Sequence, residues 1–113
     1  MDVLAGRKDP VMDIQKKLTG RQTRFLRSLG HHLKPVVMVG KEGISAQLID
    51  AVNLNLETHE LIKLRVQEGS PYPARLSARM IADRTGCAVA QVIGKTVLLF
   101  RESRKEDRKI TLP

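Results

Sequence analysis

Between Val36 and Val66 the spacing of apolar residues changes twice, and this restricts the possible folds more than any other feature of the chain. The run "VVMV" at 36–39 is too short and too apolar for an amphipathic helix and predicts a buried strand. Ile44, Leu48, Val52 and Leu56 then recur every four residues, with Ile49 beside them. That spacing predicts a helix of about four turns, capped at Ser45 and ending near Glu60, with Asp50, Glu57 and Glu60 on its solvent side. "LIKLRV" at 61–66 alternates strictly, so Ile62, Leu64 and Val66 face one way and Lys63 and Arg65 the other. It reads as a strand with one covered face and one basic, wet face.

The flanks extend this pattern. In "LTGRQTRFLRSLGHHL", Gln22, Phe25, Leu26, Leu29 and Leu33 share a mostly apolar stripe, and Thr19 with Gln22 forms a capping-box signature. A helix is therefore expected from near Gly20, ended by Lys34-Pro35, because the residue before proline disfavours helical geometry. "QEGSPYP" reads as a turn-rich loop. Pro73 suits a first helical turn, and Leu76, Met80 and Ile81 give the next helix an apolar stripe until Gly86 caps it. "AVAQVIGKTVLLFRE" reads as two strands joined by a type II′ turn at Gly94-Lys95. The order α-β-α-β-α-β-β predicts an α/β domain with a four-stranded mixed sheet packed with helices. Residues 1–17 lack a stable period and read as a flexible extension. The closing "SRKEDRKITLP" mixes charges and reads as solvated, with Ile110 and Leu112 available to dock on the domain.

At 113 residues the chain is long enough for one sizeable core and too short for two. No apolar stretch approaches the roughly 18 residues of a membrane helix, and the N-terminus lacks the apolar core of a secretion signal, so a cytoplasmic location is expected. The lone Cys87 cannot form an internal disulfide and reads as a small buried hydrophobe. The formal net charge of +8 favours polyanionic partners, nucleic acid above membrane surfaces. With Phe25, Tyr72 and Phe100 as the only aromatic residues of this class, a stacking surface on a sheet has almost no material. Recognition is expected through backbone and phosphate contacts.

Gly40, Lys41, Glu42 and Gly43 stand between a strand and a helix start. Glycines allow close backbone approach, and the first amides of a helix lack intrahelical partners at the positive end of its dipole. Together these make a candidate phosphate site from main chain, with Lys41 adding a charge and Glu42 opposing it. The spacing does not fit a nucleotide P-loop, and a dinucleotide fingerprint lacks its third glycine. A bare G-x-x-G also occurs in ordinary turns. The first helix strengthens the binding reading: Arg21, Arg24, Arg27, His31 and Lys34 fall at spacings of three or four and no acid interrupts them. A solvated face normally mixes signs, so a polyanionic partner is the simpler explanation. Lys63 and Arg65 would extend that surface. His31, His32 and His59 lack ligand-spaced partners, no nucleophile stands beside a base, and no cofactor motif is present; neither a metal site nor an enzyme is expected.

These segments, "LTGRQTRFLRSLGHHLKPVVMVGKEGIS", "ETHELIKLRV" and "QVIGKTVLLFRES", resemble the bacterial stand-alone CRM-domain proteins, the YhbY type, over residues 18–113. The resemblance implies a fold similar to the C-terminal domain of translation initiation factor three, with a KH-like GxxG loop. It also implies binding to structured ribosomal RNA and association with precursors of the large ribosomal subunit. The chain departs from the family pattern at Glu42, an acid where such loops are usually neutral or basic, and in the proline-rich "SPYPARLSARM". The expected partner is thus ribosomal RNA in a large-subunit precursor, bound by a monomer with no membrane involved. Two other classes remain: an adaptor docking on ribosomal proteins or assembly factors, and a DNA-binding domain, for which no helix-turn-helix recognition helix is evident.

Overall fold

The computed structural model describes residues 18–103 and 109–113; the expected extension over 1–17 lies outside them. The elements are α1 (Gly20–Gly30), β1 (Pro35–Val39), α2 (Ala46–His59), β2 (Leu61–Val66), α3 (Ala74–Thr85), β3 (Ala88–Ile93) and β4 (Thr96–Phe100). The strands form one sheet in the order β1-β2-β4-β3. β1 and β2, joined through α2, run parallel; β4 is antiparallel to both β2 and β3. The α/β class, element order and mixed four-stranded sheet agree with the sequence reading.

The two sheet faces are covered by different helices. On one face, Leu48, Val52 and Leu56 of α2 and Ala78, Ile81 and Ala82 of α3 pack on Val37, Val39, Ile62, Leu64, Val97 and Leu99. Each fully buried Leu, Ile or Val here contributes about 1.5–3 kcal/mol of hydrophobic stabilisation. On the other face, Leu26 of α1 packs with Leu61, Ala90, Leu98 and Phe100, and Ile110 and Leu112 dock beside it. Gln22 Nε2 also donates to the Pro113 carbonyl at 3.2 Å, fastening the chain end to the start of α1.

The caps follow local chemistry. Thr19 and Gln22 form the full capping box, Ser45 Oγ accepts from the Leu48 amide at 3.1 Å, and Gly86 ends α3 with φ +74°. Gly94 has φ +55° whereas Lys95 does not enter the left-handed region, the sign pattern of a type II′ hairpin turn.

Four details differ from expectation. β1 is an edge strand with Val36 and Met38 each 49% exposed, so it is buried on one side only; Pro35, lacking an N–H, is tolerated as the first residue of such an edge. α1 stops at Gly30, leaving His31 as its C-cap and Lys34 beyond the helix, and Leu29 and Leu33 are exposed. In α3 Leu76 is exposed while the small residues Ala74, Ser77, Ala78 and Ala82 are buried with Ile81, which lets that helix approach the sheet closely. Finally, Glu60 is fully buried rather than solvent-facing, because α2 ends at His59 and the chain reverses at Glu60 with φ +65°.

Candidate nucleic-acid interface

The face that carries α1 is only partly covered. α1 lies over β2, β4 and β3, leaving the β1 side of that face open. The helix settles close to the sheet at its C-terminal end, where a Cβ at Gly30 would stand 2.6 Å from Leu98 Cδ1. Beside this contact is an open notch of about 460 Å³, lined by Arg27, Ser28, Gly30 and His31 of the α1 end and by Lys63, Gln91, Ile93, Thr96 and Leu98 of the sheet. Three cationic or protonatable side chains thus meet there, and no acid lines the notch.

Strand register carries the basic surface onward from the notch. Lys63 is paired with Pro35 and Arg65 with Met38, so the outward residues of β2 run alongside the exposed Val36 and Met38 of β1. Lys63 and Arg65, two positions apart, lie about 6.6 Å from one another along the strand. Arg65 is exposed and Lys63 half-buried. Beyond them the Gln67 amide donates to the Val39 carbonyl at 2.8 Å, which brings Gln67 to the glycine turn.

That turn is a closed β-turn. The Gly43 amide donates to the Gly40 carbonyl at 3.0 Å, with Lys41 and Glu42 exposed at its corners. Arg84 Nη1 donates to the Ile44 carbonyl at 3.0 Å, tying the segment after the turn to α3. Gly40, Lys41, Glu42 and Gly43 line one side of a groove of about 770 Å³, with Val36 and Met38 of β1 and Gln47 of α2 also contributing. The Gly43 amide is therefore engaged inside the turn, and Ser45 takes the Leu48 amide. Among the described residues, the amides of Lys41, Glu42, Ile44, Ser45, Ala46 and Gln47 have no protein acceptor, and those of exposed Lys41, Glu42, Ala46 and Gln47 are open to a ligand at this end. Glu42 does not close over them: it is exposed and makes no hydrogen bond among the described residues.

The residues singled out from sequence divide into three groups. Arg27, His31 and Lys63 come together in the notch, and Arg65 continues from it. Gly40 to Gly43 form the separate turn at the far end of β1. Arg21 and Arg24 are exposed on the outer side of α1, since they lie roughly 140° and 200° around the helix from the sheet-facing Leu26, and Lys34 is exposed before β1. Among the described residues no ion pair reaches any of these arginines and lysines. By contrast Lys95 pairs with Glu68, and Arg101 is held by Glu57, Asn53 and the Thr85 carbonyl. Sequence reasoning missed Val36, Met38 and Gln67 as surface neighbours of the basic residues, because periodicity does not reveal which strand is an edge.

Other chemistry is limited. Burial raises the Cys87 thiol above its ordinary range, so the thiolate is disfavoured. Among the described residues no group of three His, Cys, Asp or Glu side chains is placed to hold a metal ion, and no helix is long and apolar enough to cross a membrane.

Fold and surface together define a small α/β domain whose partly open sheet face joins a basic notch to a glycine turn. Residues 18–101 match the CRS1/YhbY (CRM) domain model, and the chain belongs to that family. It is 40% identical over 96 residues to "Probable RNA-binding protein YqeI" of Bacillus subtilis, covering 85% of this chain and 99% of that protein. It is 38% identical over 96 residues to a Haemophilus influenzae protein named "RNA-binding protein", covering 85% and 95%. The solution structure of a hypothetical protein from Staphylococcus aureus matches with TM-score 0.72 and 38% identity, over 86% of this chain and 100% of that one.

Proposed function

We propose that this chain is a non-enzymatic, cytoplasmic RNA-binding protein that engages structured ribosomal RNA as a monomer and acts in assembly of the large ribosomal subunit. The observation that carries this reading is the acid-free notch where Arg27, His31 and Lys63 converge, continued by Arg65 toward the glycine turn. Unpaired cations held near one another repel, and a polyanion that releases counterions on binding relieves that repulsion. The names of the relatives support an RNA partner. The ribosomal target rests on the family resemblance.

Arg27→Glu combined with Lys63→Glu reverses two charges in the notch and removes no buried apolar group. Affinity for a ribosomal RNA fragment is expected to fall roughly tenfold or more at moderate salt, with the thermal melt unchanged. Unaltered affinity in a folded double variant would reject the notch as the binding surface. Duplex DNA at equal salt serves as the comparison, and equal binding would reject RNA selectivity.

Val36 and Met38, half-exposed on the open edge of β1, favour a second reading in which a protein partner adds to this edge. Association with precursor particles that persists after ribonuclease treatment, together with no affinity for purified ribosomal RNA, would select this adaptor role.

A further inference from the structure

The Pro71-Tyr72 segment packs against the glycine turn in a way that the basic surface does not explain. Gly43 has φ +66°, and a Cβ there would stand 2.9 Å from Pro71 Cγ and 3.5 Å from Tyr72 Cε2. The two turns are therefore in contact, with the tyrosine ring edge beside the glycine backbone. The Tyr72 main chain is also fixed. Its amide donates to Ser70 Oγ at 3.3 Å, while its carbonyl accepts from the Ser70 hydroxyl at 3.0 Å and the Ser77 hydroxyl at 3.4 Å. Prolines on both sides restrict the backbone further. Yet Tyr72 remains 37% exposed, and among the described residues its hydroxyl has no hydrogen-bond partner. Core packing would bury this ring, and a merely solvated turn would not need three hydrogen bonds and two prolines to hold it.

We propose that Tyr72 is a stacking platform for an unpaired base of RNA whose backbone passes the glycine turn. The proposal rests on the RNA-binding reading and specifies what kind of RNA the turn accepts. Every base has a π-face, so one aromatic ring stacks without demanding a sequence. Bases inside a continuous helix are already covered above and below, so the platform selects a loop, bulge or strand end over an uninterrupted duplex. A base lies within one sugar of its phosphate, so a phosphate at the Lys41 corner places a neighbouring base within reach of a ring that lies beside Gly43. Because the turn already orders Tyr72, little conformational entropy is lost on stacking. The sparse aromatic content excludes a broad stacking sheet, but it does not exclude one positioned ring.

Tyr72 is the chain's single tyrosine and the chain has no tryptophan, so intrinsic emission reports this ring alone. The full chain is titrated at low salt with a hairpin RNA carrying a uridine loop and with a fully paired RNA duplex containing the same stem. Tyrosine emission is corrected for RNA absorbance with free N-acetyltyrosinamide, and binding is followed separately by anisotropy of end-labelled RNA. The hairpin is expected to bind and quench the emission. Tyr72→Ala should weaken hairpin binding roughly 5- to 150-fold with little effect on duplex binding, the range expected for loss of one base stack. Tyr72→Phe keeps the ring and should bind like the parent chain, and circular dichroism melts should show both variants folded. Hairpin binding with unchanged emission, or unchanged affinity in folded Tyr72→Ala, overturns the platform and leaves the RNA reading standing. Failure to bind either RNA overturns both.

Discussion

Glu60 joins α2 to β2 through a single residue at φ +65° and ψ −43°, a sparsely populated positive-φ conformation that costs a residue bearing a side chain about 1–3 kcal/mol. Its carboxylate offsets this by accepting from three amides: Ser103 at 2.6 Å, and Lys109 and Ile110 both at 2.8 Å. Its own amide donates to Leu56 and its carbonyl accepts from Arg101, so the residue links helix, strand and the C-terminal segment. Glu60→Ala should lose about 2–4 kcal/mol, since the amides lose a charged acceptor and the segment must detach to hydrate them. Glu60→Gln should fall between, because its oxygen can still serve Lys109 and Ile110 while its NH2 then opposes the Ser103 amide. Urea unfolding followed by circular dichroism, in the order parent, Gln, Ala, checks this; equal midpoints would reject the role. The caps at Thr19, Ser45 and Gly86 were legible in sequence because donor and acceptor lie within a turn of each other. Glu60 was not, because its partners lie 43 to 50 positions away.

The position of α1 depends on Gly30, over whose Cα the buried Leu98 side chain fits; a Cβ would meet three of its carbons at 2.6–3.2 Å. Helix propensity alone would favour alanine at such a position by up to about 1 kcal/mol, less at a helix end, whereas overpacking a buried contact costs about 1–3 kcal/mol. Gly30→Ala should therefore destabilise by about 1–2 kcal/mol and weaken RNA binding by shifting Arg27 and His31 from Lys63. Gly69→Ala, where a Cβ meets nothing within 4 Å, is the neutral control for urea unfolding. No loss at Gly30 relative to Gly69 would show that α1 tolerates a wider spacing. Element types and order could be read from period changes, but their sides could not. Nothing in the spacing of "LTGRQTRFLRSLGHHL" places α1 opposite α2 and α3, or puts β4 between β2 and β3. Those arrangements depend on long-range pairing, and they are what bring Lys63 to Arg27.

At the scale of the molecule, the net charge of +8 accounts for attraction to a polyanion but not for where it binds. The notch lies between the end of α1 and strands β2, β4 and β3, and the glycine turn lies beyond the end of the edge strand β1; Arg65 and the exposed β1 residues stand between them. If one RNA backbone crosses both, Lys41 and Lys63 neutralise different phosphates. Lys41→Ala and Lys63→Ala should then each reduce the slope of log affinity against log salt by about 1, and the double variant by about 2, because neither residue shares a partner with the other. Glu42→Gln should act oppositely, strengthening binding most at low salt, since Glu42 is exposed beside the same corner and makes no hydrogen bond among the described residues that would compensate its charge. Titrations of one ribosomal RNA fragment across a salt series distinguish the arrangements. A slope changed by Lys63→Ala but not by Lys41→Ala or Glu42→Gln confines the RNA to the notch, whereas changes at both ends require a backbone that runs along β2 to the glycine turn.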